Sequence, residues 1–270
     1  MRRGAAVRMG VMSLSPRKLA AGSALRAALR QLLRQARRAM EKFPQDPAGQ
    51  AHFLRTRVKR LQSLCRLVPR GKVWQEKFLG PCRELKDLFA ETRDATIVQG
   101  LADKYAPGEA HHLRAALPPD LVEARRLAET AVDFLADYPY WITIEWKEIS
   151  DRAVDTYRAA RAGWKKAGRG NAPDEAFHAW RRRVKRLLYQ CEYLGGRARL
   201  VRFTRRVDRL GEVLGDVQDV CLAEMWLKKQ NNLKVPPDLP RSKESMRRAA
   251  LRLAPVLLGC SPKVFRRMLG

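Results

Sequence analysis

The stretch His52-Phe-Leu-Arg-Thr-Arg-Val-Lys-Arg-Leu61 decides the fold, because it recurs as His178-Ala-Trp-Arg-Arg-Arg-Val-Lys-Arg-Leu187. The two copies are identical at seven of ten positions and stand 126 residues apart, and Cys65 and Cys191 extend the match at the same offset. One residue is lost in the loop that follows. The match then resumes at an offset of 125, pairing Lys77 and Phe78 with Arg202 and Phe203, Leu85 with Leu210, Leu88 with Val213 and Asp94 with Asp219. A repeat that runs through two successive helices predicts a duplicated unit of about four helices, and so two similar halves.

Each copy reads as an amphipathic helix. At about 100° per residue, Leu54, Val58, Leu61, Cys65 and Val68 fall on one stripe. His52, Arg55, Lys59 and Arg66 fall within about 60° of one another on the other side. In the second copy Trp180, Val184, Leu187, Cys191 and Leu194 form the stripe, opposite His178, Arg181 and Lys185. Members at i, i+3 and i+7 are separated by about 4.5–6 Å along the axis, a ladder suited to a row of negative charges. Arginine offers phosphate oxygens a bidentate fork and lysine a mobile point charge. The helix before the first copy adds Arg26, Arg30, Arg34 and Arg37, opposite Leu25, Leu29, Leu32, Leu33 and Met40. Where the rows of the two halves face one another, they line a shared groove.

Outward from the repeat, Gly and Pro mark the junctions of about eight long helices, at 16–43, 48–69, 72–105, 109–137, 142–167, 173–195, 198–231 and 241–269. Asp46 before Pro47 is a helix N-cap with proline at the first helical position. No strand pattern persists; Tyr140 to Trp146 is short and runs into a helical period. The chain is therefore expected to be all-α: a flexible tail at 1–15, then one domain over 16–270 with halves at about 16–138 and 139–270.

The charge points to the partner. The 270 residues hold 55 Lys and Arg against 28 Asp and Glu, a net +27. A folded chain carries that excess at a cost in self-repulsion, which a polyanionic ligand relieves. The excess is uneven: Arg17 to Lys72 has 15 basic and 2 acidic residues, and His178 to Arg209 has 11 and 2. Asp120 to Thr156, between them, has 9 acidic and 4 basic. The five cysteines are odd in number and lack a C-x-x-C spacing, which argues for a reducing, cytoplasmic setting and against a zinc site. Cys65 and Cys191 read as core residues. Asp94 and Asp219 read as acids that hold the repeat arginines, and His111 with His112 carries no metal-site spacing. No apolar run reaches the length of a membrane span.

These residues resemble the CHAD domain, the conserved histidine α-helical domain. The first-half motif is similar at His52, Arg55, Lys59, Arg60 and Leu61, followed by Arg93 and Asp94. The second is similar at His178, Arg181, Lys185, Arg186, Tyr189 and Glu192, followed by Leu214-Gly215-Asp216 and Gln218-Asp219. Where the family commonly adds another arginine, this chain has Gln62 and Leu188. The resemblance implies two pseudo-symmetric four-helix bundles with a basic groove or pore between them, and binding of inorganic polyphosphate. The site it implies comprises Arg30, Arg34, His52, Arg55, Lys59, Arg60, His178, Arg181, Lys185, Arg186, Arg202 and Arg206. Association with polyphosphate or other storage granules is a further implication. The E-x-E-x-K signature of the triphosphatase to which some members are fused does not occur, nor do a P-loop, G-x-G-x-x-G or H-E-x-x-H. We therefore expect no catalysis, no cofactor and no resident metal. The alternatives are a helical nucleic-acid-binding module, for which the basic rows carry few interleaved aromatics, and a granule scaffold.

Overall fold

The computed structural model describes residues 21–69, 72–105, 119–137, 144–195, 197–229 and 238–270. The N-terminal tail, His111, His112 and most of the 140–146 segment lie outside them. Among the described residues there are ten helices and no strand. They are α1 (Ala21–Glu41), α2 (Pro47–Cys65), α3 (Lys72–Leu88), α4 (Ala90–Tyr105), α5 (Leu121–Asp137), α6 (Trp146–Ala167), α7 (Asp174–Leu194), α8 (Ala198–Lys229), α9 (Asp238–Leu258) and α10 (Pro262–Leu269).

Local chemistry explains the starts of four helices. Asp46 Oδ1 accepts from Gly49 N at 3.0 Å, with Pro47 at the first position of α2. Asp120 Oδ1 accepts from Val122 N and Glu123 N, both at 2.9 Å, and so caps α5. Ser261 and Pro262 start α10 in the same way. Glu145 N donates to Glu148 Oε2 at 3.0 Å across the first turn of α6, half of a capping box.

Two of the eight expected helices are each split in two. The segment at 72–105 breaks at Phe89, between α3 and α4. No glycine or proline stands there. Phe89 is fully buried and meets Phe43 edge-on, ring centres 5.3 Å apart, so tertiary packing sets the break. The segment at 241–269 breaks after Leu258, where Gly259 closes the last turn and the cap of α10 begins. Conversely, α3 runs through Pro81. The residue before it is Gly80, which has no Cβ to clash with the proline ring.

Helix contacts close two rings of four. In the first, α1 meets α2, α2 meets α3, α3 meets α5 and α5 returns to α1. In the second, α6 meets α7, α7 meets α8, α8 meets α9 and α9 returns to α6. Between the rings, α2 meets α7, α4 meets α8 and α1 meets α6. The two predicted stripes are the cores of their rings: Leu54, Val58, Leu61, Cys65, Trp180, Val184, Leu187 and Cys191 are each at most 2% exposed. Each buried side chain of this size contributes about 1.5–3 kcal/mol. The second ring adds an aromatic clasp. Tyr157 stacks on Phe265 at 4.5 Å, and its hydroxyl donates toward Cys260 O at 2.9 Å and Leu257 O at 3.2 Å. That pins α10 and the end of α9 to α6.

The candidate anion-binding surface

On α7 the cationic row forms as its spacing predicts, but it lies against α8. His178 Nδ1 is hydrogen-bonded to Gln218 Oε1. Three residues on, the Arg181 guanidinium passes 3.7 Å from the point where a Cβ on Gly215 would stand. Four further on, the Lys185 stem passes 3.0–3.2 Å from the equivalent point on Gly211. The steps along α7 match equal and opposite steps along α8, so the two helices keep one antiparallel register. Gly211 and Gly215 form a shallow track that lets the two long cations lie down. Lys185 Nζ ends 3.3 Å from Asp208 Oδ1.

In the first half Arg55 likewise turns to its own ring, donating from Nη1 to Lys86 O at 2.6 Å on α3. Lys59 is half-buried, while His52 is exposed, unlike the half-buried His178. The two rows therefore sit on the α2–α3 and α7–α8 seams. The surface between the halves is built one step further round each helix.

That inter-half contact is specific. Gln190, fully buried on α7, donates from Nε2 to Ser63 O at 2.8 Å. Ser63 lies in the last turn of α2, where carbonyls lack helical partners, so one half caps a helix of the other. Arg60 Nη1 stands 3.0 Å from Glu192 Oε2, and Arg60 Nη2 donates to Glu192 Oε1 at 3.5 Å. Its guanidinium also covers the Tyr189 ring at 5.0 Å. Arg57 sits beside it, over Phe53 at 4.2 Å. A cavity between α1, α2 and α7 is lined by Leu32, Gln35, Arg57, Arg60, Tyr189 and Tyr193, among others. Burial, opposed by Arg60, raises the Glu192 carboxyl above its ordinary range. Burial, reinforced by Arg60, lowers Arg57.

Arg186, the repeat mate of Arg60, is half-buried next to Arg66, Arg183 and Arg182. Burial first, then those three charges, lower it to about 10.

Four candidate residues are not gathered here. Arg30 lies about 100° or more round α1 from Gln31, Leu32 and Gln35, which face the inter-half cavity, whereas Arg34 lies about 60° from Gln31. Arg26, in their row, spends its guanidinium on Leu135 O and Ala136 O at the end of α5, at 3.0 and 2.6 Å. Arg202 and Arg206 are exposed, and Arg202 is about half a turn round α8 from Gly211. Arg57 and Arg183 belong to the repeated segment but were not among the candidates. Their mutual equivalence at offset 126 is the sequence signal that marks them.

Cys65 and Cys191 behave as core residues, while Cys221 and Cys260 are only partly buried. Cys65 and Cys191 are buried, and burial holds both thiols well above their ordinary range, so no thiolate is available. Among the described residues, no group of three or more His, Cys, Asp or Glu is placed to hold a metal, and no helix is long and apolar enough to cross a membrane. Asp94 and Asp219 are both exposed.

No curated protein matches the chain. Its fold is similar to the crystal structure of the CHAD domain from the plant Ricinus communis, with a TM-score of 0.53 and 17% identity, over 93% of this chain and 91% of that one. The CHAD domain model matches residues 23–228, most of both rings, and the chain belongs to the CHAD domain family.

Proposed function

We propose that this protein binds inorganic polyphosphate without turning it over. The observation that carries the reading is the duplicated cationic row, kept at ladder spacing in both halves and, in the second, laid along a glycine track that fixes where its charges stand. Family membership supports the choice of polyphosphate among polyanions. Affinity arises from charge neutralisation and counterion release, so it falls steeply with salt. The chain acts in the cytoplasm, where polyphosphate or other storage granules are its site of accumulation. Imaging with and without the polymer tests that location.

The binding test is a titration with long-chain polyphosphate at moderate salt. Binding tighter than to an equal charge of heparin or DNA is expected, and equal binding to all three points to a general polyanion or nucleic-acid module instead. Changing Arg55, Lys59, Arg181 and Lys185 together to Gln removes most of the affinity, and full retention refutes the assignment. Incubation with tripolyphosphate and Mg²⁺ releases no phosphate; steady release would establish a phosphohydrolase.

A further inference from the structure

The repeat keeps the cations of the Arg60/Arg186 and Lys59/Lys185 pairs but not the carboxylates that stand beside Arg60 and Lys185. Under exchange of the two halves Arg60 maps to Arg186, and its partner Glu192 maps to Arg66. The same exchange takes Arg57 to Arg183 and Thr56 to Arg182. On the α3–α8 offset it takes Asp208, the partner of Lys185, to Arg83. The α2–α7 contact thus has two ends built from equivalent positions. At one end Arg60 is neutralised by Glu192 at 3.0 Å. At the other, Arg186 meets Arg66 where that carboxylate would be.

Among the described residues, this second end has no acid paired with its arginines, Arg66, Arg182, Arg183 and Arg186, and Arg183 is held only by a long 3.4 Å bond to Ala159 O on α6. Arg66 and Arg182 are exposed and Arg186 half-buried, so the cluster is open on one side with a partly desolvated floor. Four like charges with no counterion are self-repelling unless an anion joins them. Burial first, and then the charges of Arg66, Arg183 and Arg182, lower Arg186.

We propose that the Arg66–Arg182–Arg183–Arg186 cluster is a phosphoryl-binding subsite additional to the duplicated rows, and that its repeat-equivalent counterpart at Arg60 is closed to anions by Glu192. The inference rests on the polyphosphate reading and refines it: the two ends of the inter-half contact are unequal. The ligand is a phosphoryl group of high charge density, such as a unit of a polyphosphate chain. Forked guanidiniums suit its oxygens, and it replaces the missing acid.

The test uses the full chain, with tripolyphosphate and long-chain polyphosphate as probes and calorimetric titration as the readout. Arg66→Glu copies the closed end onto the open one, and it is expected to weaken tripolyphosphate binding about tenfold or more, as loss of a charge-assisted contact predicts. Glu192→Arg copies the open end onto the closed one and strengthens binding or adds a second equivalent. A gain cannot come from misfolding, and helical circular dichroism checks the fold of Arg66→Glu. Parent-like affinity for tripolyphosphate in both variants overturns the unequal subsites and leaves the polyphosphate reading standing. Absence of binding of either probe by the parent chain overturns both.

Discussion

A glycine-to-alanine pair measures how closely α6 and α7 approach. Gly163 is buried on α6, and a Cβ there would meet Trp180 Cδ1 at 3.0 Å and Arg183 Cδ and Nη1 at 3.3 Å. Trp180 is fully buried and has no room to retreat. Gly100, inside α4, has nothing within 4 Å of its added Cβ. Both substitutions gain helix propensity, about 0.8–1 kcal/mol. Gly100→Ala keeps that gain. Gly163→Ala meets an overpacking cost of about 1–3 kcal/mol, giving a net change between about zero and 2 kcal/mol of destabilisation. At roughly 2 °C per kcal/mol for a chain of this size, Gly100→Ala melts about 2 °C higher and Gly163→Ala up to about 4 °C lower. Thermal unfolding by circular dichroism reads both. A Gly163→Ala variant stabilised as much as Gly100→Ala would refute the close packing of Trp180, and with it the placement of Arg183 along α6.

Three further outcomes are expected. Tyr157→Phe removes a hydroxyl that serves two carbonyls at the end of α9, and should cost about 1–2 kcal/mol in denaturant unfolding; no change means that the clasp rests on ring stacking alone. Polyphosphate affinity should rise as pH falls through the window above 4.5 in which Glu192 gains its proton, because Arg60 then loses its counterion. In that window the folded state holds a proton that the unfolded state lacks, so stability also rises as pH falls. Glu192→Gln removes that share of both effects, and an unchanged pH profile in the variant contradicts the Arg60 pairing. The slope of log affinity against log salt should flatten by about 0.7–0.9 for each phosphate-contacting cation removed, by analogy with nucleic acids, so a slope indifferent to Arg181→Gln and Lys185→Gln places the polymer elsewhere.

Helical periodicity was sufficient for the two core stripes, since a stripe of five apolar residues has only one way to face a core. It could not say which neighbour the cationic side meets. A wheel gives angles about one axis, and the neighbour depends on a second helix. His178, Arg181 and Lys185 therefore form the predicted row but lie on α8, guided by Gly211 and Gly215, which only the paired register reveals. For the same reason Arg30 shares a row with Arg26 yet lies well round α1 from the inter-half cavity. The break at Phe89 has no local signal, because a buried ring on Phe43 causes it. The charge reversal between Arg66 and Glu192 was present in the aligned repeats all along. It acquired meaning only once Arg60 was seen to reach Glu192.

The ring order has a consequence for synthesis. Every helix of the first ring precedes every helix of the second in the chain, so the ribosome delivers the first ring whole before Gln190 exists. At about 5–20 residues per second, seconds pass in which the end of α2 is formed but its Ser63 carbonyl has only water as partner. The second ring then grows against a surface already in place. Duplication has thus given the molecule an earlier and a later half, and the bond from Gln190 to Ser63 is among the contacts through which the later one registers on the earlier.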